Sequence, residues 1–335
     1  MQSVLIVGGY GAVGKRVARG LSRQSLRIVI AGRDLSKAQA TAATMNAVAQ
    51  RIDLTDPTTW DAALTGINLV IACIDQADTR FLQAVITRGI AYLDVTADDG
   101  FFIQAEQLKP ETPVLLSVGL APGLSNLLAT AAAECLDTVT RIEIGLMMGL
   151  GDEHGKAAID WSMRNVFDPT ARRDAAIIDF GPDFGRRRAH AMNFSDQHAL
   201  ERTMPGTEVT TRVAYDSAMM TNALFWLGRT FAGNGLVERI VTAIGHMPSG
   251  GSDKCVLSVT VTGQRNGFEQ QHRALYRGRQ EAAVTAETAV LMARAVLDGE
   301  VPAGVWHSHQ VLRPDTIFTE LERRGHGTFD LPSDI

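Results

Sequence analysis

The chain opens with a hydrophobic run that stops at a cluster of glycines. Residues 4–7 are Val-Leu-Ile-Val, and the sequence GGYGAVG occupies residues 8–14. Val13, Val17 and Leu21 then recur at four-residue spacing, as on one face of a helix. The pattern predicts a buried strand, a tight glycine turn and a helix that follow one another from residue 4.

Hydrophobic runs and helical patterns continue to alternate up to residue 118. After the first strand, five more are predicted at residues 26–31, 48–52, 68–73, 91–95 and 113–118. Strands that alternate with helices in this way form a parallel sheet with helices on both faces. We therefore expect an α/β fold whose first part is a Rossmann-type doubly wound parallel sheet.

The rhythm changes after residue 119. The patterns predict a helix at 124–135, a strand at 138–148, a Gly- and charge-rich region at 149–188 with one helix, and a strand at 255–262 that enters a hairpin at Asn266-Gly267. A long helix at 282–297 would lead back to the first domain. The middle of the chain is thus expected to form an inserted α+β domain on a largely antiparallel sheet.

Composition places the chain among ordinary globular proteins. Its 335 residues are 45% hydrophobic and 21% charged, with a formal net charge of −5. This charge argues against nucleic-acid binding, and the lack of a long apolar run or a signal-peptide pattern predicts a cytoplasmic protein away from the membrane. Three scattered cysteines favour neither disulfides nor a metal site.

The glycine spacing at the first turn fits a dinucleotide site. Gly9, Gly11 and Gly14 form G-x-G-x-x-G between a strand and a helix. The first glycine allows the turn, the second lets the backbone approach a pyrophosphate and the third lets the helix pack on the strand. We expect these glycines, with Tyr10, Ala12 and Val13, to bind the cofactor phosphates at the helix N-terminus.

The end of the second strand selects between NADP and NAD. Arg33 follows this strand directly and Lys37 lies one turn later, an arrangement that suits the 2′-phosphate of NADP. Asp34 leaves NAD open as the less favoured cofactor, because an inward-facing carboxylate would bind a ribose 2′-hydroxyl.

Further cofactor contacts are expected where the next strands end, because ligands of such sheets lie outside the carboxyl ends of the strands. Asp53 and Leu54 follow the third strand, and Asp53 either faces the adenine or caps the next helix. The loop after the fourth strand contributes Cys73, Ile74 and Asp75.

Four motifs together resemble the saccharopine dehydrogenase family, in its NADP-dependent reductase-like branch. They are GGYGAVG at 8–14, AGRD at 31–34, YLDVT at 92–96 and GLAPGLSNLLA at 119–129. The resemblance extends to the carboxyl end, from Thr285 through Gly299 to Pro314. It implies a Rossmann domain of residues 1–125 plus 282–335, a substrate-binding and dimerisation domain of residues 126–281, a homodimer, and cofactor contact by Pro122.

The family further implies hydride transfer between NADP(H) and a C–N bond of an imine or amino-acid-like substrate. This chain departs from the saccharopine-forming enzymes at Ala121, because the corresponding motif of those enzymes resembles Asp-Pro-Gly and so has an aspartate at this position. The second domain of this chain is also shorter. A small-molecule substrate is therefore expected, but not saccharopine itself.

Three ionisable residues are candidates for the chemistry. Asp94 ends the fifth strand on the ligand edge, where a carboxylate would stabilise an iminium. Capping of the next helix or hydrogen bonding to loop amides is an equal alternative for this residue. Asp98 follows, although its position is typical of a helix N-cap. His154 lies in a charged loop of the second domain, where it either binds or protonates substrate or is an exposed loop histidine without a role in the site.

Competing enzyme classes lack their required groups. No Tyr-x-x-x-Lys pair of a short-chain dehydrogenase occurs, since Gly14, Thr96, Met219 and Gln280 lie four residues after the tyrosines. No cysteine has an evident activating base. The alternative function is an NADPH-binding redox sensor without turnover, which needs the same Rossmann domain but no catalytic acid.

Overall fold

The computed structural model describes residues 1–152, 156–171, 173–247 and 250–332. The chain divides into two compact units. The first contains Met1–Asn126 and Ala283–Glu320, and the second contains Leu127–Ala282 with the residues from Leu321 onward.

Fourteen strands are found in the described residues, labelled in chain order through both units. They are β1 Ser3–Val7, β2 Arg27–Gly32, β3 Val48–Arg51, β4 Leu69–Ala72, β5 Ala91–Asp94, β6 Pro113–Leu116, β7 Thr138–Met148, β8 Ala175–Asp179, β9 Arg186–Ala191, β10 Glu208–Tyr215, β11 Lys254–Arg265, β12 Phe268–Arg279, β13 Gly304–His307 and β14 Thr328–Asp330.

Thirteen α-helices in the same residues are labelled likewise. They are α1 Gly14–Ser22, α2 Leu35–Ala43, α3 Trp60–Leu64, α4 Arg80–Ile86, α5 Asp99–Glu106, α6 Ser125–Ala133, α7 Lys156–Phe167, α8 Ser195–Thr203, α9 Ala218–Thr230, α10 Gly235–Gly245, α11 Glu281–Leu297, α12 Ser308–Val311 and α13 Pro314–Arg323. An irregular turn, Leu120–Leu124, joins β6 to α6.

The first unit is built on a parallel sheet with the order β13-β6-β5-β4-β1-β2-β3. All of its strand pairs are parallel. The chain winds outward from β1 in one direction through β2 and β3, and in the other from β4, so the order reverses between β1 and β4. Ligands of doubly wound sheets bind at this reversal point.

The apolar runs of the first unit are buried on both faces of the sheet. Every residue of β1 and β4 is buried, which is typical of central parallel strands covered on both sides. The helices α1 and α4 add Val17, Leu21 and Phe81 to this core. The predicted strand–turn–helix and the predicted parallel sheet are therefore present.

The second unit contains a mixed sheet with the order β14-β12-β11-β7-β10-β9-β8. Its strands pair antiparallel except β7 and β10, which run parallel. β11 and β12 form a long hairpin around Asn266-Gly267, where Asn266 has a φ of 53° and Gly267 a φ of 79°. The α/β fold class, with a second α+β domain on a largely antiparallel sheet, is confirmed.

Three parts of the sheets differ from the sequence-based expectation. β13 adds a seventh strand to the parallel sheet, beside β6. β14 pairs with β12 of the second sheet, although the residues after 282 were all expected in the Rossmann domain. The region at 149–188 was expected to hold a helix alone, yet it also holds β8 and the start of β9.

Short length and composition explain these differences. β13 and β14 have four and three residues, too few to show a periodic pattern. β9 begins with three arginines and buries only Ala189 and Ala191, so its sequence resembles a solvated charged segment. Pairing with β10 and β8, rather than local propensity, makes it a strand.

Among the described residues, no helix is long and apolar enough to cross a membrane.

Candidate nucleotide-binding and active site

In the turn after β1, two backbone segments approach each other so closely that only glycine fits between them. A Cβ added to Gly14 would lie 2.4 Å from the carbonyl oxygen of Gly8 and 2.9 Å from Cα of Gly9. The N–H groups of Gly8 and Gly9 donate to the carbonyl oxygen of Ala31 on β2, at 2.9 and 3.2 Å. Helix α1 therefore begins directly against the end of β1.

This turn leaves backbone donors exposed to a ligand. In the described part of the chain, the N–H groups of Ala12, Val13 and Gly14 make no hydrogen bond. They lie at the N-terminus of α1, whose dipole favours an anion. Unpaired donors at the reversal point of the sheet fit a cofactor pyrophosphate, as the glycine spacing predicts.

Tyr10 links the glycine turn to the end of β2. A Cβ on Gly32 would lie 2.5 Å from the Tyr10 ring, so the ring packs directly on the backbone of Gly32. The hydroxyl oxygen of Tyr10 accepts a hydrogen bond from the Asp34 N–H at 3.4 Å. Tyr10 thus lies where the ribose of a dinucleotide is expected.

The Asp34 carboxylate is engaged in capping α2. It accepts a hydrogen bond from the Lys37 N–H at 3.1 Å and lies 3.6 Å from Lys37 Nζ. The hydrogen bond from the Lys37 backbone is the main cause that lowers the pKa of Asp34. Arg33 is exposed and forms no hydrogen bond or ion pair within the described residues. This division fits a 2′-phosphate better than a ribose 2′-hydroxyl.

Asp53 and Leu54 lie beyond β3, as expected. The Asp53 carboxylate accepts hydrogen bonds from the N–H and Oγ1 of Thr55, at 3.0 and 2.8 Å, and these bonds lower its pKa. Leu54 is partly buried against the core. Contact of either residue with a nucleotide stays a prediction.

The loop after β4 covers the glycine turn from the other side of the reversal point. The Cys73 N–H donates to the Val7 carbonyl oxygen at 2.9 Å, and the Ile74 side chain lies against Gly8. Asp75 is exposed. Burial, followed by the negative charge of Asp94, raises the pKa of the Cys73 thiol to about 12. Cys73 is therefore a neutral thiol and no nucleophile.

Asp94 is fully buried at the end of β5 and accepts four hydrogen bonds. Its Oδ1 accepts from the Thr96 N–H at 2.8 Å and from Thr96 Oγ1. Its Oδ2 accepts from Gln76 Nε2 at 3.1 Å and from the Tyr92 hydroxyl at 3.0 Å. Four donors are suited to an ionised carboxylate, which only accepts.

The environment of Asp94 contains two opposing effects on its ionisation. Burial raises the pKa of Asp94 to about 6, while the hydrogen bonds from Thr96 and Tyr92 act to lower it. The carboxylate is consequently a buried negative charge at neutral pH.

Gln76 is also buried in this network, and its amide oxygen accepts no hydrogen bond from the described residues. Gln76 is 8% exposed, and its Nε2 also contacts the Tyr92 hydroxyl. Because the Asp94 carboxylate accepts only, the amide nitrogen of Gln76 faces it and the amide oxygen faces away. Gln76 Oε1 has no hydrogen-bond partner within the described residues.

The other predicted site residues occupy different settings. Asp98 is the N-cap of α5 and accepts a hydrogen bond from the Phe101 N–H at 2.8 Å. Pro122 is buried in the irregular turn after β6, where the Gly123 N–H donates to Asn126 Oδ1 at 2.9 Å. His154 lies outside the described residues, and its predicted role stays a prediction.

A second buried polar chain fixes β13 to the sheet. Ser117 Oγ lies 2.7 Å from His307 Nδ1, and His307 Nε2 lies 3.0 Å from Glu106 Oε1. Ser117 is fully buried and His307 is 2% exposed. The chain joins α5, β6 and β13, so we assign it a structural role. Within the described residues, no cluster of metal-ligating side chains is present.

Sequence reasoning missed Gln76, Tyr92 and His307. Tyr92 lies two residues before Asp94, so the alternation of a strand already places both side chains on one face. No comparable local signal joins Gln76 to Asp94, because Gln76 lies in the loop after β4, Asp94 ends β5, and 18 residues separate them.

We predict that the Asp94 carboxyl group makes the free energy of unfolding decrease as the pH rises from about 4 to about 6. The folded-state pKa lies above the unfolded value of 3.8, so the folded protein binds the extra proton in this interval and loses that advantage as the pH rises. The contribution is about 3 kcal/mol. Urea unfolding of the wild type and Asp94→Asn at pH 4 to 7 checks this, because the difference between their free energies of unfolding should change by this amount. A difference that does not depend on pH would contradict the prediction.

Three comparisons place the chain among known proteins. Over 99% of its length it superimposes on the apo, L-Glu-forming saccharopine dehydrogenase of Saccharomyces cerevisiae, covering 100% of that chain with a TM-score of 0.69 at 15% identity. C. glutamicum DAP dehydrogenase in complex with DAP matches over 96% of this chain and 98% of that chain, with a TM-score of 0.51 at 17% identity. At these identities the matches show a shared fold.

A curated relative matches over a shorter segment. Prestalk A differentiation protein A of Dictyostelium discoideum is 37% identical over 70 residues, which are 20% of this chain and 23% of that protein. The chain thus spans about a quarter of the length of this relative.

A family match covers the nucleotide-binding part of the chain. Residues 4–117 match the family described as the saccharopine dehydrogenase NADP binding domain. They include the glycine turn, Arg33 and Asp94, and the resemblance drawn from the sequence motifs is confirmed. Over residues 4–117, about a third of the chain, the protein is thus similar to the NADP-binding domain of the saccharopine dehydrogenase family.

Proposed function

We propose that the protein is an NADP-dependent oxidoreductase that transfers hydride between NADP(H) and the C–N bond of an imine or amino-acid-like substrate. The observation that carries the proposal is the buried pair of Asp94 and Gln76 at the ligand edge, where Gln76 offers an unpaired acceptor. The names of the two structural relatives, both amino-acid dehydrogenases, support the substrate class.

The first unit offers donors and charge for the cofactor. The unpaired N–H groups of Ala12, Val13 and Gly14 would bind the pyrophosphate, and Arg33 would bind the 2′-phosphate. When bound, the reduced cofactor supplies a hydride to the carbon of the C=N group.

The protein must then stabilise the positive charge of a protonated imine. Gln76 Oε1 would accept the hydrogen bond of the iminium N–H, and the hydrogen bond from Gln76 Nε2 to Asp94 increases the electron density on that oxygen. Hydride addition to carbon and retention of the proton on nitrogen give the neutral amine. Asp94 therefore acts as a positioning residue, through Gln76.

The charge of Asp94 also acts at a distance. For an iminium bound to Gln76 Oε1 and taken to lie about 8 Å from the Asp94 carboxylate, the charge would stabilise it by about 2 kcal/mol at an effective dielectric constant of about 20. Since about 1.4 kcal/mol corresponds to a factor of ten, this field would raise the fraction of protonated imine relative to neutral imine roughly 30-fold, and the rate would rise with it.

For the cofactor, we predict that Arg33→Ala weakens NADPH binding by roughly 1.5–3 kcal/mol and leaves NADH binding nearly unchanged, because only NADPH loses a charged hydrogen bond. Titration of the protein with both cofactors measures the difference. Arg27→Ala is the matched control, since Arg27 is exposed at the opposite end of β2. Equal losses for NADPH and NADH would contradict the assignment of Arg33.

For the reaction, a screen of NADPH oxidation with amines paired with 2-oxo acids or aldehydes should identify a substrate combination that needs both components. With that substrate, Asp94→Asn should lower kcat about 30-fold with little change in NADPH affinity. The wild-type rate should rise through about pH 6 as the carboxylate ionises, and the variant should lack this step. A merely structural Asp94 would leave the pH profile unchanged.

The variant Asp98→Asn distinguishes the role of Asp98 from that of Asp94, because asparagine also caps helices well and only the charge is lost. It should preserve both α5 and turnover. A large loss in kcat for Asp98→Asn with normal Asp94→Asn would reverse the roles proposed for them. If the wild type binds NADPH but oxidises it with no substrate of a broad panel, the result would favour the NADPH-binding redox sensor. In that function, the fully buried Asp94 would only fix the loop residues that donate hydrogen bonds to it.

We propose that the protein forms a homodimer through α10. Leu236, Ile240 and Ile244 recur every four residues along this helix and are 71%, 53% and 58% exposed. A two-fold axis at Ile240 would place Leu236 of one copy against Ile244 of the other, so the stripe is self-complementary.

We predict that Ile240→Glu converts the dimer to a monomer, because it would bury two like charges at the axis. Sedimentation velocity measures the mass, and Arg239→Gln on the same helix is a control that should remain dimeric. A wild-type protein that is monomeric at micromolar concentration would contradict the proposal.

A further inference from the structure

The second unit contains a concave pocket of its own. Its volume is about 220 Å³, and its walls come from the end of α7, the segment before β8, β9 and α9. All of its lining residues fall between Asn165 and Arg229, so the pocket is complete within this unit. None of them belongs to the nucleotide-binding part of the chain.

Three arginines and no acidic residue line this pocket. Arg173 is held by hydrogen bonds from its guanidinium to the carbonyl oxygens of Asp168 and Gly228, at 2.8 and 3.2 Å. The side chains of Arg188 and Arg229 make no hydrogen bond or ion pair with any described residue. The Asp168 carboxylate accepts a hydrogen bond from Thr170 Oγ1, and this bond together with the charge of Arg173 lowers its pKa.

Two arginines of this unit that lie outside the pocket form ion pairs with carboxylates. Arg212 on β10 forms ion pairs with both Glu143 and Asp174, and Arg273 on β12 forms one with Asp179 at 2.7 Å. Like charges gathered around one cavity repel each other, and no carboxylate of the lining offsets this cost. An anion in the pocket would supply the missing partner.

Aromatic rings form the rest of the wall. The rings of His190 and Phe225 stack at 4.4 Å with an interplanar angle of 8°, and His190 Nε2 lies 3.3 Å from Asn222 Oδ1. Trp226 is 60% exposed beside them. Burial and the charge of Arg188 lower the pKa of His190, so its ring is neutral near pH 7. A flat apolar surface thus adjoins the guanidinium groups.

We propose that this pocket binds an organic carboxylate, with the carboxylate paired to Arg188 and Arg229 and an apolar or aromatic body against Phe225 and Trp226. Guanidinium groups bind carboxylates through paired N–H donors. They also stack on planar groups. The proposal is independent of the reaction proposed above, because the site lies in one unit and its occupancy needs neither cofactor nor turnover.

The test measures binding of benzoate to the purified full-length protein by calorimetry, with tryptophan fluorescence as a second readout. Benzoate should bind saturably and change the emission of Trp226, which the variant Trp226→Phe identifies. Arg188→Gln and Arg229→Gln should each weaken binding about tenfold, as expected for loss of a charged hydrogen bond. Arg239→Gln removes the same charge from α10, outside the pocket, and should bind like the wild type.

Two further ligands test the two halves of the site. Benzamide has the ring without the charge and should not bind measurably, and inorganic phosphate has the charge without the ring and should bind at least tenfold more weakly than benzoate. Wild-type affinity in both arginine variants, or equal affinity for phosphate and benzoate, would overturn the proposal. Both arginines are exposed, so the melting temperatures should match the wild type and any loss of binding reports on the pocket.

Discussion

The close contact between Gly14 and Gly8 is the constraint on which the nucleotide site depends. No side chain fits at Gly14, because a Cβ there would lie 2.4 Å from the Gly8 carbonyl oxygen. Only with glycine at this position can α1 begin at the end of β1. The first N–H groups of the helix then face the point where the strand order reverses, and the loops after β2 and β4 close around them. A steric requirement at one residue thereby places donors, Arg33 and the Asp94 network at one edge of the sheet.

That edge holds the fully buried carboxylate of Asp94, which is ionised at neutral pH. Burial of a carboxylate is costly, and here four hydrogen bonds to Asp94 offset part of the cost. The charge in turn raises the pKa of its neighbours Tyr92 and Cys73, in addition to the effect of their own burial. Both neighbours consequently stay neutral, which keeps Tyr92 a hydrogen-bond donor to Asp94. The network is thus self-consistent: the carboxylate preserves the protonation of the group that stabilises it.

The sequence contains the local parts of this design but not the long-range ones. The glycine turn, the parallel strands and the position of Asp94 at a strand end follow from short patterns, because parallel strands are buried continuously and end at one edge. Gln76 could not be found in this way, since its contact with Asp94 depends on the pairing of β4 with β5. The arginine-rich β9 was missed as a strand for a related reason, because neighbouring strands and not its own residues specify it. The pocket beside it likewise requires α7, β9 and α9 together.

Cofactor preference shows how one hydrogen bond can decide a question that composition leaves open. Asp34 stands where a carboxylate selects NAD, and from sequence alone it competes with Arg33 for the ribose. In the fold, Asp34 is the N-cap of α2 and accepts the Lys37 N–H. Turning its carboxylate toward a ribose would leave that N–H without its cap, at a cost of about 1 kcal/mol. Arg33 has no such commitment in the described part of the chain, so it is available to a 2′-phosphate without loss of any existing bond. The preference for NADP therefore depends as much on the capping of α2 as on the charge of Arg33.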